Sequence, residues 1–184
     1  GCGRGGARRP GSGCAQVAAH ALCPTFVVPS NVGDVASTLQ APVLVGVQAP
    51  GRDEAAISFA FEEAAARGVP LRAAHVWSSA PDVGLGCVDP STYELRAAWA
   101  TADRRVADAL SGWAEKYPQV QVERLALYDP DPARALLHAS AQAGLVVLGA
   151  SLHARYGRQP LGAISRTLIE QAGCPVCVVR LAVH

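Results

Sequence analysis

The sequence predicts an α/β protein built on a parallel sheet with helices on both faces. Three observations carry that expectation. Val43-Leu44-Val45-Gly46-Val47, Leu145-Val146-Val147-Leu148 and Val176-Cys177-Val178-Val179 are apolar runs almost without polar alternation, the pattern of strands buried on both faces. Amphipathic stretches separate such runs, so strand and helix alternate along the chain. Leu145–Arg180 itself reads strand, glycine-containing loop, helix, strand, a unit whose crossover is right-handed.

Taken in order, the first 29 residues repeat a later stretch. Gly11, Ala21, Cys23-Pro24 and Val27-Val28 recur 151 positions downstream, at Gly162, Ala172, Cys174-Pro175 and Val178-Val179. A period of this length matches one whole domain, so residues 1–29 are read as the last helix and strand of a preceding, truncated copy. Ser30–Gln40 reads as a polar connector. Val43–Val47 is then a central strand, with Gln48 at its end. Asp53 falls at the N-cap position of the next helix and is expected to accept from first-turn N–H groups. That helix, Glu54–Arg67, carries Ile57, Ala60, Phe61 and Ala64 at helical spacing, and Gly68 stops it.

Leu71–Trp77 reads as the second strand, with His75 expected as a hydrogen-bonded core histidine. Ser78–Pro90 is a Gly/Pro/Ser-rich loop of lid length. Ser91–Tyr117 is expected as one long amphipathic helix, on the spacing of Leu95, Ala98, Val106, Leu110 and Trp113. Val120–Leu127 alternates apolar and polar residues and reads as a less buried edge strand. Asp131-Pro132 starts a helix by a stated mechanism, Asp as N-cap and Pro at the first position where its missing N–H costs nothing. That helix is expected to reach about Ala143, with Gly144 ending it. Gly149 is expected to end the strand that follows. A loop with Gly157 and Pro160 leads to Gly162, which opens a helix with Ile164, Leu168 and Ile169 on one face, closed by Gly173. A strand end, a glycine loop and a helix N-terminus together make an anion site, because free backbone N–H groups and the positive helix end point at the same place.

The 184 residues suit one domain of roughly 140 residues plus an extra segment. Half are hydrophobic and 17% are charged, enough for a sizeable core. A net charge of +1 gives no reason to expect nucleic acid or an anionic membrane as partner. No run of about 18 apolar residues and no signal-peptide core is present, which predicts a soluble, cytoplasmic protein. The sequence has no methionine, even at position 1, and is expected to be a piece of a longer protein. Six cysteines are too sparse for a disulfide scaffold here. Cys174-Pro-Val-Cys177 matches C-x-x-C, but it follows a helix end and runs into a strand, so both thiols are expected to be reduced, metal-free packing groups rather than a redox pair.

The glycine frame names a family. Gly149 and Gly162, flanked by Leu161 and Ser165 and followed by Cys174-Pro175 and Val178-Val179-Arg180, resemble the nucleotide loop of the universal stress protein family, whose ATP-binding form reads G-x2-G-x9-G-[ST]. Gly149 fills the first place, Leu152 stands at the second glycine, Gly162 fills the third, and Ala163 replaces the Ser/Thr. Two of four positions match, and the order of elements matches from Ala41 to Arg180. The resemblance implies a doubly wound five-stranded parallel sheet of order 3-2-1-4-5, Rossmann-like, with any ligand at the topological switch beside Gln48 and Gly149. It places Gln48 where the family carries an Asp, His75-Val76 at the strand end with the backbone near Val76 facing adenine, and Ser165 one turn into the helix. Arg155 and Arg158 lie in the loop as phosphate partners or as a solvated face. Leucine at 152 adds a side chain where a phosphate would approach, Ala163 lacks a hydroxyl and Gln48 lacks a charge. ATP binding is therefore expected to be weak or absent. The family pairs its last strand antiparallel across a two-fold, which implies a homo-oligomer, or a pseudo-dimer in which the strand around Phe26 pairs with that around Cys177. In the upstream copy Gly11-Ser12 keep the G-[ST] end of the motif. No nucleophile elbow, metal set or spaced carboxylate pair appears, and an enzyme is not expected.

Overall fold

The computed structural model describes residues 17–18, 21, 23–29, 35–48, 53–77, 92–150 and 161–180. Six strands are formed, β1 (Thr25–Val27), β2 (Val43–Gly46), β3 (Leu71–Trp77), β4 (Val122–Tyr128), β5 (Leu145–Ala150) and β6 (Val176–Arg180). The helices are α1 (Val35–Gln40), α2 (Glu54–Arg67), α3 (Thr92–Ala109), α4 (Trp113–Lys116), α5 (Pro132–Ser140) and α6 (Ala163–Gln171). The sheet runs β1-β6-β5-β2-β3-β4. From the β4 edge inward, the strands of the main domain come third, second, first, fourth and fifth, all parallel. The expected order holds, and β1 adds a sixth, antiparallel strand at the far edge.

Strand alternation sorts the core into two layers. Val43, Val45, Leu71, Ala73, Leu145, Val147, Cys177 and Val179 face α2 and the end of α3. Leu44, Ala74, Val146, Leu148, Val176 and Val178 face the other way, against Leu136 of α5 and Leu168 and Ile169 of α6. A fully buried strand needs both sets apolar, which is why these runs show no polar alternation. Phe61 on α2 anchors the first layer; it is fully buried and stacks near Trp113 and Tyr117, centroids 6.1 and 5.6 Å away. Cys174 and Cys177 belong to opposite layers, so their side chains do not face one another.

Several boundaries differ from expectation for identifiable reasons. The connector holds a short helix, α1. The long helix breaks after Ala109, where Gly112 adopts φ 80°, a left-handed conformation open to glycine, and α4 is a separate turn. Helix α5 stops at Ser140 rather than Ala143. Strand β5 continues through Gly149 to Ala150, because both pair with β6. Helix α6 ends at Gln171 with Ala172 extended, so Gly173 is not a left-handed cap. At the other end of the chain, Val17 and Ala18 are helical and Ala21 N–H donates to the Val17 carbonyl at 3.0 Å. The rest of residues 1–22, apart from Ala21, lies outside the described residues, as do residues 78–91 and 151–160.

Candidate functional site

A doubly wound sheet brings helix N-termini to the carboxyl ends of its strands, and the crevice opens where neighbouring crossovers diverge. Here that place is between β2 and β5, and it contains a cavity of about 270 Å3. Gly46 at the end of β2, Val47 and Gln48 just after it, and Val76 of β3 form one side. Gly149 of β5 and Ile164 and Ser165 of α6 form the other, and Pro132 and Leu136 of α5 close the top. Space at Gly46 is tight, since a Cβ there would stand 3.1 Å from Leu148 Cδ2 and that side chain would have to give by a few tenths of an ångström.

The two helix starts at the rim differ in one respect. Asp131 caps α5 as expected, its Oδ1 accepting from Ala133 N–H at 3.1 Å and Arg134 N–H at 3.2 Å. Gly162 gives α6 no side-chain cap, so among the described residues the N-cap itself takes up none of the first-turn N–H groups. An added Cβ at Gly162 would meet nothing within 4 Å. Asp53 departs from its expected role. It makes no side-chain cap bond to α2; instead its Oδ2 accepts from the Gln48 backbone N–H at 2.6 Å while the residue is buried. A buried carboxylate thus holds the end of β2 in place at the cavity wall, a charge-assisted bond of the stronger kind.

Of the residues named from sequence, Gln48, Val76, Gly149 and Ser165 line this cavity. Gly162 and Ala163 stand beside it as N-cap and first residue of α6. Leu152, Arg155 and Arg158 lie outside the described residues. Sequence reasoning missed Pro132, Leu136 and Ile164; Asp131-Pro132 was legible as a helix start, and a helix that starts after a parallel strand starts at this edge. His75 also touches the cavity but is a core residue, with Nδ1 2.9 Å from the Val47 carbonyl oxygen. The cysteines stand apart from the site. Burial pushes the Cys174 thiol up to about 11 and the Cys177 thiol to about 12, away from the range of reactive thiols.

Residues 41–180 match the universal stress protein family. The chain belongs to that family. A universal stress protein of Mycobacterium tuberculosis is 35% identical over 181 residues, covering 98% of this chain and 59% of the relative. One from Mycobacterium bovis is 38% identical over 172 residues, covering 92% and 56%. The chain therefore spans somewhat more than half the length of the curated relatives it matches. Among solved structures, the universal stress protein UspA from Lactobacillus plantarum shares the fold with a TM-score of 0.59 at 20% identity, over 77% of this chain and 98% of that one. A universal stress protein solved in complex with cAMP gives 0.53 at 18% identity, over 77% and 98%. Among the described residues, no helix is long and apolar enough to cross a membrane.

Proposed function

We propose that residues 41–180 act as a binding module of the universal stress protein family, with an adenine-nucleotide pocket whose grip on ATP is weak or lost. One observation carries the reading. The cavity at the topological switch is walled by Gln48, Val76, Gly149 and Ser165 and opens beside the uncapped start of α6. Its volume of about 270 Å3 is near the lower end of the roughly 300–1,000 Å3 usual for small-molecule sites. The adenine nucleotide is suggested by the family and by the fold relative solved with cAMP. The weakness is suggested by three residues: Gln48, Leu152 and Ala163 stand where the ATP-binding pattern has an acid, a glycine and a hydroxyl. A binding role is favoured over a catalytic one because the titratable side chain touching the cavity, His75, is engaged with the Val47 carbonyl.

The test is calorimetric titration of ATP into the full chain and into its Gln48→Asp, Leu152→Gly, Ala163→Ser triple variant. A hydrogen bond to a charged group is worth about 1.5–3 kcal/mol, so restoring one contact should tighten binding roughly ten- to a hundredfold. Micromolar binding by the unmodified chain, with no gain in the variant, would show it to be a functional ATP-binding protein despite the altered motif.

A second reading rests on β1. Its register on β6 is Thr25 with Val178, Phe26 with Cys177 and Val27 with Val176. Under the 151-residue repeat, Thr25, Phe26 and Val27 correspond to Val176, Cys177 and Val178, so this pairing maps onto itself. Such self-complementarity belongs to two-fold contacts between like surfaces. It supports reading residues 1–29 as the end of a preceding copy, residues 30–40 as the linker, residues 41–184 as the following domain, and the last strand as the place where copies or homo-oligomer subunits pair.

A further inference from the structure

His75 sits where two strands stop pairing. Along β3 the main-chain groups of successive residues point alternately to β2 and to β4. The even-numbered residues face β2: Val43 N–H donates to the Pro70 carbonyl at 3.0 Å, and Val47 N–H to the Ala74 carbonyl at 2.8 Å. The odd-numbered residues face β4, where Asp129 N–H donates to the Trp77 carbonyl at 3.1 Å. Val76 therefore turns its N–H and C=O towards the β2 side, at the cavity it lines.

In an unbroken parallel ladder the next rung would run from Val76 N–H to the Val47 carbonyl. The ladder stops one step short of it, with Gly46 opposite Ala74. The Val47 carbonyl oxygen lies instead 2.9 Å from Nδ1 of the buried His75. A carbonyl can only accept, so Nδ1 carries the proton. Strand side chains stand roughly perpendicular to their sheet. A bond to the imidazole thus draws this carbonyl away from the plane in which Val76 N–H would reach it. Gln48 N–H, next along the chain, is tied back as well, to Asp53 Oδ2 at 2.6 Å.

We propose that His75 is a positioning residue for the cavity at the topological switch. By holding the Val47 carbonyl it breaks the β2–β3 ladder and leaves the Val76 N–H and C=O to the ligand. Side by side, these two groups match a planar heterocycle edge that carries an acceptor beside a donor. The role towards the ligand rests on the nucleotide reading above, whereas the role towards the backbone does not.

Amide hydrogen exchange of the ligand-free chain, read by NMR, tests the backbone role. His75→Phe removes the donor and frees the Val47 carbonyl for Val76 N–H. The Val76 amide should then exchange about tenfold more slowly than in the unmodified chain, as one added hydrogen bond allows. Loss of a merely structural contact would speed its exchange instead. His75→Asn, whose side-chain amide can donate in place of Nδ1, should restore the original rate. His75→Ala gives the same reading as His75→Phe should the larger ring prevent folding. Adenosine, titrated by calorimetry, tests the ligand role: binding should weaken about tenfold in His75→Phe and recover in His75→Asn. Val76 exchange that is unchanged or faster without the imidazole overturns the proposal. Slower exchange, with no adenosine binding even by the unmodified chain, would uphold the ladder break and overturn the nucleotide reading alone.

Discussion

Replacing Gly144 by alanine tests whether the segment before β2 is seated as described. Gly144 lies at the start of β5, its N–H donating to the Pro42 carbonyl at 2.9 Å, and its φ is not among the positive values. What demands glycine is proximity. A Cβ would stand 1.9 Å from the Thr38 carbonyl oxygen, 2.9 Å from that of Ala41 and 3.1 Å from the Thr38 carbonyl carbon. Ordinary contact needs roughly 3.5 Å, so the end of α1 or the start of β5 must retreat by about 1.5 Å. Both neighbours are backbone, so no side-chain rotation relieves the clash. Overpacking of this kind costs about 1–3 kcal/mol, and the upper end applies here. Alanine's smaller loss of chain entropy returns about 0.4–1 kcal/mol, leaving a net loss of about 2 kcal/mol. For a chain of this size that lowers Tm by about 4–8 °C. Thermal unfolding followed by circular dichroism measures it, with Gly173→Ala as the control. An added Cβ at Gly173 meets nothing within 4 Å, so that variant should be neutral or slightly stabilised. Equal melting of the two variants would refute the reasoning and detach residues 35–41 from the sheet.

Three further outcomes are expected. Iodoacetamide at pH 8 should label exposed Cys23 well before Cys174 and Cys177, whose thiols burial raises to about 11 and about 12. Peptide mass spectrometry reads this, and equal labelling would refute it. Because folding holds both thiols above their ordinary value of 9.0, their contribution to stability is intact below pH 9. It should fall away as pH rises from there towards 11–12, where the folded state also ionises. Removing residues 1–29 strips β1 from β6 and exposes an apolar strand edge, which is prone to pair with another chain. The remaining chain should sediment as a dimer, and a strict monomer at high micromolar concentration would argue against pairing through β6.

What was legible in the sequence is what a residue decides with its neighbours in the chain. Apolar runs without alternation marked β2, β5 and β6; Asp131-Pro132 marked the start of α5; and Gly68, at φ 66°, marked the end of α2. The sheet edge was legible too, since β4 is only partly buried and its alternation records that. The pairing of Phe26 with Cys177 followed from the repeat and the family's two-fold, and the structure places those two residues opposite one another. Breaks that depend on one left-handed residue inside a periodic pattern were not legible: Ala98, Val106, Leu110 and Trp113 keep a helical period straight through Gly112, yet the chain turns there.

The site shows the same division more sharply. Gly149 and Ser165 could be named because the family pattern they resemble has fixed local spacing. Pro132 and Leu136 could not, because they reach the cavity only after the sheet order sets α5 beside β2 and β3. Asp53 is the instructive case. By spacing it is an N-cap for α2, and an aspartate there has two possible directions in which to accept. Its carboxylate turns back to the Gln48 N–H, five residues earlier. The last residue of the β2 segment then has its backbone held from one side while its own side chain stays exposed. The place where the family has an acid thus retains a carboxylate nearby, but one directed at the protein backbone rather than into the cavity. That is why Gln48→Asp belongs in the ATP test: it would put a charge on the exposed side chain at the cavity wall.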